Sequence, residues 1–94
     1  MKRQNYRHKA KMTGRRLEIL KLMATDLSFQ EIAEKIGITI TYLYFQNWRL
    51  YCYLGVNNRY DAVFVAIQQG LLTKNQLSRK VKRELYGKNN EKRK

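Results

Sequence analysis

The chain has 94 residues, enough for one small domain with a modest core and too few for two. Twenty lysines and arginines against seven acidic residues give a formal net charge of +13, which favours nucleic acid as the partner, with an anionic membrane surface second. A single cysteine, Cys52, and a single histidine, His8, exclude an internal disulfide and a metal site built from these side chains.

The basic residues are concentrated at the two ends of the chain. Residues 1–16 carry seven basic and no acidic side chains, residues 17–72 carry four against five, and residues 73–94 carry nine against two. Runs of like charge are often only solvated tails. We favour the alternative, in which both ends hold phosphates by releasing counterions from nucleic acid.

The first two predicted helices follow from apolar spacing and from a cap. Apolar residues at intervals of three and four predict an amphipathic helix from Thr13 to about Thr25. Ser28 and Glu31 then form an S-x-x-E capping box, which begins a short second helix. Gly37 ends this helix, because glycine readily takes the left-handed conformation.

A longer third helix is predicted from Ile40 to Tyr53. Thr39 supplies a hydroxyl that can cap its start. A short helix, a glycine turn and a longer helix together are typical of a helix-turn-helix motif. On a helical wheel, three leucines share one face with Asn47, and that face is predicted to belong to the core. The outward side chains are Tyr44, Phe45, Trp48 and Cys52.

Two further helices complete the prediction. Asn57 and Asn58 can cap a fourth helix, which ends before Gly70. Apolar residues at intervals of four predict a fifth helix from about Lys74 to Tyr86, begun by a capping box of Thr73 and Gln76. Its apolar stripe is thin and its other faces are basic, so it either docks weakly on the core or forms only on nucleic acid.

From about Met12 to Leu72 the sequence resembles the LuxR/GerE-type helix-turn-helix domain of bacterial transcription regulators. The resemblance rests on Thr13 and Arg15 at the start, and on the runs LSFQEIAEKIGIT, LGVNNR and AVFVAIQQGLL. It implies an all-α, four-helix domain over residues 12–72 that lays its third helix in the major groove. It also implies a homodimer through residues 58–69. Both charged ends lie outside the resemblance, and their composition predicts a basic arm at residues 1–11 and a basic helix and tail at residues 73–94.

The outward face of the third helix departs from the family. Where the family usually shows a Thr-Val pair, a polar or basic position and a histidine, this chain has Tyr42, Leu43, Tyr44 and Gln46. The positions matching Tyr44, Phe45 and Trp48 are those where groove-contacting residues lie in the family, and here they are aromatic.

Three hypotheses account for these aromatic residues. The fifth helix or a second subunit covers them, since large exposed apolar patches are uncommon on monomers. Alternatively they contact DNA, with Phe45 or Trp48 against thymine methyls and tyrosine hydroxyls, Gln46 or Asn47 on base edges or phosphates. In the third hypothesis they dock a protein such as RNA polymerase or another regulator.

The expected function is sequence-specific binding of double-stranded DNA to regulate transcription in the cytoplasm, associated with the nucleoid. We expect no catalysis and no cofactor, because the sequence shows no nucleophile motif, phosphate loop or metal spacing. The alternatives are a protein-interaction adaptor and a sequence-tolerant binder of RNA or single strands. The candidate DNA contacts on the third helix are Thr39, Thr41, Tyr44, Phe45, Gln46, Trp48 and Arg49. Elsewhere they are Arg15, Arg16, Arg59, Lys80 and Arg83.

Overall fold

The structure is a computed structural model that describes residues 12–87. The basic arm predicted for residues 1–11 and the end of the tail, residues 88–94, lie outside the described part. Within residues 12–87 the fold is all-α, as predicted, with no strand. No helix in that range is long and apolar enough to cross a membrane.

The first two helices begin at the predicted caps. Helix α1 runs Gly14–Met23, and the Thr13 hydroxyl accepts a hydrogen bond from the backbone N of Arg16 at 3.2 Å. Helix α2 runs Phe29–Ile36. Its capping box is complete: the Ser28 hydroxyl accepts from Glu31 N at 3.1 Å, and the Glu31 carboxylate accepts from Ser28 N at 2.8 Å. Because a helix this short has little stability alone, packing against its neighbours must hold α2.

The next two helices also match the prediction closely. Helix α3 runs Ile40–Leu54 and is followed by Gly55 in the left-handed conformation. Helix α4 runs Arg59–Gln68, and the Asn58 side chain accepts from Asp61 N at 2.9 Å. Helix α1 packs against α2, α3 and α4, and α3 packs against α2 and α4, so the four helices enclose one core.

The predicted fifth helix is interrupted. A 3-10 turn at Lys74–Gln76 comes first, then the short helix α5 at Arg79–Lys82, then a π-helical turn at Arg83–Gly87. Gln76 does accept from Thr73 N at 2.8 Å, but the cap of α5 is Ser78, whose hydroxyl accepts from Val81 N at 3.2 Å. The predicted box therefore begins a single 3-10 turn and not an α-helix.

The C-terminal segment, residues 73–87, is docked on the core. Ser78 N donates to the carbonyl of Ala24 at 2.8 Å, and the Ser78 hydroxyl donates to the Asp26 carboxylate at 2.6 Å. Val81 is fully buried, and the Tyr86 ring lies 6.2 Å from the ring of Phe64 on α4. Of the two expectations for this segment, docking on the core is the one observed. The core residues are Ile19, Leu20, Met23, Ala24, Ile32, Ala33, Leu43, Leu50, Leu54, Ala62, Val63, Ala66, Leu72, Leu77 and Val81.

Candidate nucleic-acid interface

A glycine turn presents α3 to the surface. Gly37 has φ +75°, in the left-handed region that favours glycine, and its N–H donates to carbonyls of α2. Two residues later the Thr39 hydroxyl accepts from Tyr42 N at 3.1 Å and caps α3. Thr39, a candidate DNA contact, is thus used by the fold itself, although it remains exposed.

The inner face of α3 belongs to the core, as the helical wheel predicts. Leu43 and Leu50 are fully buried and Leu54 nearly so. Asn47 lies beside them with only 3% of its surface exposed, and its Oδ1 has no hydrogen-bond partner among the described residues. The Asn47 amide is therefore not presented to an external ligand.

The outer face of α3 carries four exposed aromatic side chains, which we call the aromatic face. Tyr42 is 45%, Tyr44 54%, Phe45 48% and Trp48 56% exposed. The rings support one another: Phe45 lies 6.4 Å from Trp48, and Tyr44 meets the edge of Phe29 on α2 at 6.1 Å and 87°. Tyr42 is not among the predicted DNA contacts, although its position three residues before Phe45 places both on the same side of the helix.

The C-terminal segment does not cover the aromatic face. Its contacts run to Ala24 and Asp26, next to α1, and to Phe64 on α4. Tyr44, Phe45 and Trp48 each keep about half of their surface exposed. The hypothesis that the fifth helix buries them is therefore wrong for residues 73–87. Cover by a second subunit, contact with DNA and docking of another protein stay as predictions.

Gln46 lies on the inner side of α3, contrary to its proposed contact with base edges. Only 7% of its surface is exposed, and its Oε1 accepts a hydrogen bond from Nε of Arg16 at 2.9 Å. The Gln46 side chain is therefore used to join α3 to the start of α1. It holds Arg16, another candidate, beside the middle of α3.

Arg49 lies against the aromatic face. Its guanidinium carbon is 5.8 Å from the centre of the Phe45 ring, and its Nε is buried without a hydrogen-bond partner in the described residues. A guanidinium over an aromatic ring is attracted by the negative ring face. Arg49 thus brings positive charge to the aromatic face. Contact of this charge with phosphate stays a prediction.

The Arg59 guanidinium forms hydrogen bonds within the protein. Its Nε donates to the carbonyl of Met23 at 2.9 Å, and its Nη2 donates to the carbonyls of Thr25 at 2.9 Å and Leu22 at 3.4 Å. The guanidinium also lies 5.0 Å from the Phe29 ring. Of its two proposed roles, these bonds support the structural one beside α4, and contact with phosphate stays a prediction.

Burial around Arg59 shifts two titrating groups. Burial lowers the pKa of the Arg59 guanidinium, and Tyr60, Tyr51 and Asp26 partly oppose this shift. Burial also raises the pKa of the Tyr51 hydroxyl, with Arg59 acting in the opposite direction. Neither group belongs to the exposed aromatic face.

The remaining basic candidates lie at two other places. Arg15 is exposed at the start of α1 and forms an exposed ion pair with Glu18 at 3.3 Å. Lys80 and Arg83 are exposed on the C-terminal segment, away from the aromatic face. Arg83 also lines a shallow groove of about 310 Å³ with Arg79, Lys82, Tyr86 and Gly87.

The geometry therefore brings together some of the predicted contacts and separates others. One side of α3 carries five of them, namely Thr41, Tyr44, Phe45, Trp48 and Arg49.

Comparisons with models of protein families, with curated proteins and with solved structures gave no match for this chain.

Proposed function

We propose that the protein binds double-stranded DNA and regulates transcription, with α3 in the major groove and basic residues on the flanking phosphates. The proposal takes α1 to α4 as a LuxR/GerE-like arrangement. The observation that carries it is the exposed outer face of α3, presented after the left-handed turn at Gly37, in a chain with a net charge of +13. The major groove of B-DNA, about 12 Å wide, admits an α-helix.

The charges nearest α3 support nucleic acid as the ligand. Helix α3 has no acidic residue, and Arg49 lies at its aromatic face. Arg16 is held beside α3 through Gln46, and Arg15 is exposed next to it in sequence. Lysine and arginine contacts to phosphate supply a large share of the affinity for DNA and make it fall with salt.

The test is a titration that follows Trp48 fluorescence and the anisotropy of a labelled probe. The probes are a duplex, its single strand and an RNA of the same sequence, each at several salt concentrations. We expect the duplex to bind most tightly and the Trp48→Ala variant to bind it several-fold more weakly. Phe64→Ala, which removes an exposed ring from α4, is the control for loss of an aromatic side chain and should weaken duplex binding less than Trp48→Ala does.

Two outcomes would contradict the proposal. Tighter binding to single strands or RNA would indicate stacking of bases on the aromatic face. An affinity for duplexes that is the same for every sequence, and the same in Trp48→Ala as in the wild type, would mean that α3 does not enter the groove.

The four exposed rings also favour a second candidate function, an adaptor that docks RNA polymerase or another regulator. Aromatic residues are enriched among the side chains that contribute most to protein interfaces. A homodimer through residues 58–69 is a separate proposal, and here the C-terminal segment already packs on α4 through Tyr86 and Phe64. Sedimentation of the free protein tests the dimer. An adaptor would bind a duplex only through its net charge, with no loss of affinity in Trp48→Ala.

A further inference from the structure

The side chains exposed on α3 are of an unusual kind for a helix that contacts bases. They are Thr41, Tyr42, Tyr44, Phe45 and Trp48. Bidentate recognition of guanine or adenine needs arginine, lysine, asparagine or glutamine, and recognition of cytosine favours a carboxylate. On α3 the amides of Gln46 and Asn47 are buried, and Arg49 is half-buried against Phe45. The exposed face therefore lacks the groups that distinguish these three bases most strongly.

One feature of the major groove suits an apolar face. Thymine alone among the four DNA bases carries a 5-methyl group there, and apolar side chains contact it. We infer that α3 selects its sites through 5-methyl groups in the major groove, with Phe45 and Trp48 as the contacting side chains. This inference rests on the proposed binding of duplex DNA. It names thymine-rich sites, and sites with 5-methylcytosine, as the preferred ligand class.

The spacing of the outer side chains fits such contacts. Thr41, Phe45 and Trp48 follow at intervals of four and three, so they lie on one side of the helix. From Thr41 to Trp48 the helix rises about 10 Å, the length of about three base pairs. The Phe45 and Trp48 rings are 6.4 Å apart and each is about half exposed, so a methyl group can reach either ring without moving the core.

Charge favours DNA over a neutral protein surface as the occupant. The aromatic face has a guanidinium at its edge and no acidic residue on its own helix. An anionic duplex therefore meets attraction at the edge and an apolar surface in the middle. Removing one methyl group from water contributes roughly a fourfold gain in affinity.

The experiment measures binding of the full chain to two pairs of duplex polymers that differ only in methyl groups. The first pair is poly(dA-dT) and poly(dA-dU), and the second is poly(dI-dC) and its 5-methylcytosine form. We expect the methylated member of each pair to bind roughly fourfold to fifteenfold more tightly, for one or two methyls contacted. Two pairs are needed because a methyl group also changes the stiffness of a given sequence.

Variants then assign the preference to side chains. Phe45→Ala and Trp48→Ala should reduce the methyl preference toward equal binding, whereas Phe64→Ala on α4 should keep it. Both positions on α3 are exposed, so circular dichroism is expected to show an intact fold.

Equal binding of both members of each pair by the wild type would overturn the inference while leaving duplex binding intact. A preference that survives in both α3 variants would also overturn it, because the preference would then come from DNA shape. Absence of duplex binding altogether would instead reject the proposed function.

Discussion

Two long polar side chains, Gln46 and Arg59, act within the molecule although both are plausible DNA contacts in the sequence. Their partners lie far away in the chain, 30 residues for Gln46 and Arg16, and 36 for Arg59 and Met23. No local pattern indicates such a partner, so periodicity alone could not separate these residues from the exposed ones. The aromatic residues are different, because the helical wheel places them on the outer side of α3, although it does not decide whether another segment covers them.

Arg59 is predicted to stabilise the fold without contributing to DNA affinity. In Arg59→Met the carbonyls of Met23 and Thr25 are left without their donors, and we expect the free energy of unfolding to fall by about 2 to 3 kcal/mol. Urea denaturation measures this change. Arg15→Met is the matched control, since it removes only an exposed ion pair and should cost less than about 1 kcal/mol. Unchanged stability with weaker DNA binding in Arg59→Met would instead assign Arg59 to phosphate.

Tyr51 is predicted to make the fold sensitive to alkaline pH. Burial raises its pKa in the folded state, so above about pH 10 the unfolded chain loses the proton first. The contribution of Tyr51 to the free energy of unfolding is therefore constant below that pH. It falls as the pH rises from the pKa of Tyr51 in the unfolded chain to its higher pKa in the folded protein. Tyr51→Phe should show a smaller loss of stability than the wild type between about pH 9 and pH 11, measured by urea denaturation. Equal losses in the two proteins would contradict the assignment to Tyr51.

At the scale of the elements, side-chain caps explain why the sequence predicts α1 to α4 so closely. Thr13, Ser28, Thr39 and Asn58 each accept a backbone hydrogen bond at a helix start. Caps are local in sequence, so they can be recognised without the fold. The C-terminal segment could not be predicted in the same way, because its helix starts where Ser78 meets Ala24 and Asp26, more than 50 residues earlier.

Ser78 is predicted to hold the C-terminal segment in place. Ser78→Ala removes both the cap of α5 and the hydrogen bond to Asp26, with an expected cost of about 1 to 2 kcal/mol. Hydrogen exchange should become faster for the amides of α5 while those of α1 change less. Ser78→Thr keeps a hydroxyl and serves as the control. Equal exchange in α5 for the alanine variant and the wild type would show that Leu77 and Val81 alone dock the segment.

At the scale of the whole molecule, the excess of basic charge and the exposed aromatic face lie in different parts of the sequence. The middle of the sequence, residues 17–72, carries four basic and five acidic side chains, whereas both ends are strongly basic. The aromatic face belongs to the nearly neutral middle. In the proposed function the ends therefore contribute affinity for any duplex, and α3 contributes the discrimination among sequences.

Deletion of residues 1–11, which removes five basic side chains, tests this division. We expect weaker binding to all duplexes and a flatter dependence of log affinity on log salt, by about 0.9 for each phosphate that is no longer neutralised. The ratio of affinities between methylated and unmethylated polymers should not change. An unchanged salt slope in the deletion variant, together with loss of binding in Arg49→Ala, would place the main phosphate contact on α3 instead.

The aromatic face also governs how copies of the protein behave toward one another in solution. A net charge of +13 keeps copies apart by electrostatic repulsion at low ionic strength. At about 1 M salt the screening length falls to roughly 3 Å, so this repulsion no longer protects four half-exposed rings on one helix. Concentrated salt, the usual means of stripping nucleic acid from a basic protein, therefore removes the barrier to aggregation through α3. Colloidal stability is expected to be greatest at low salt, or with a duplex bound over the rings.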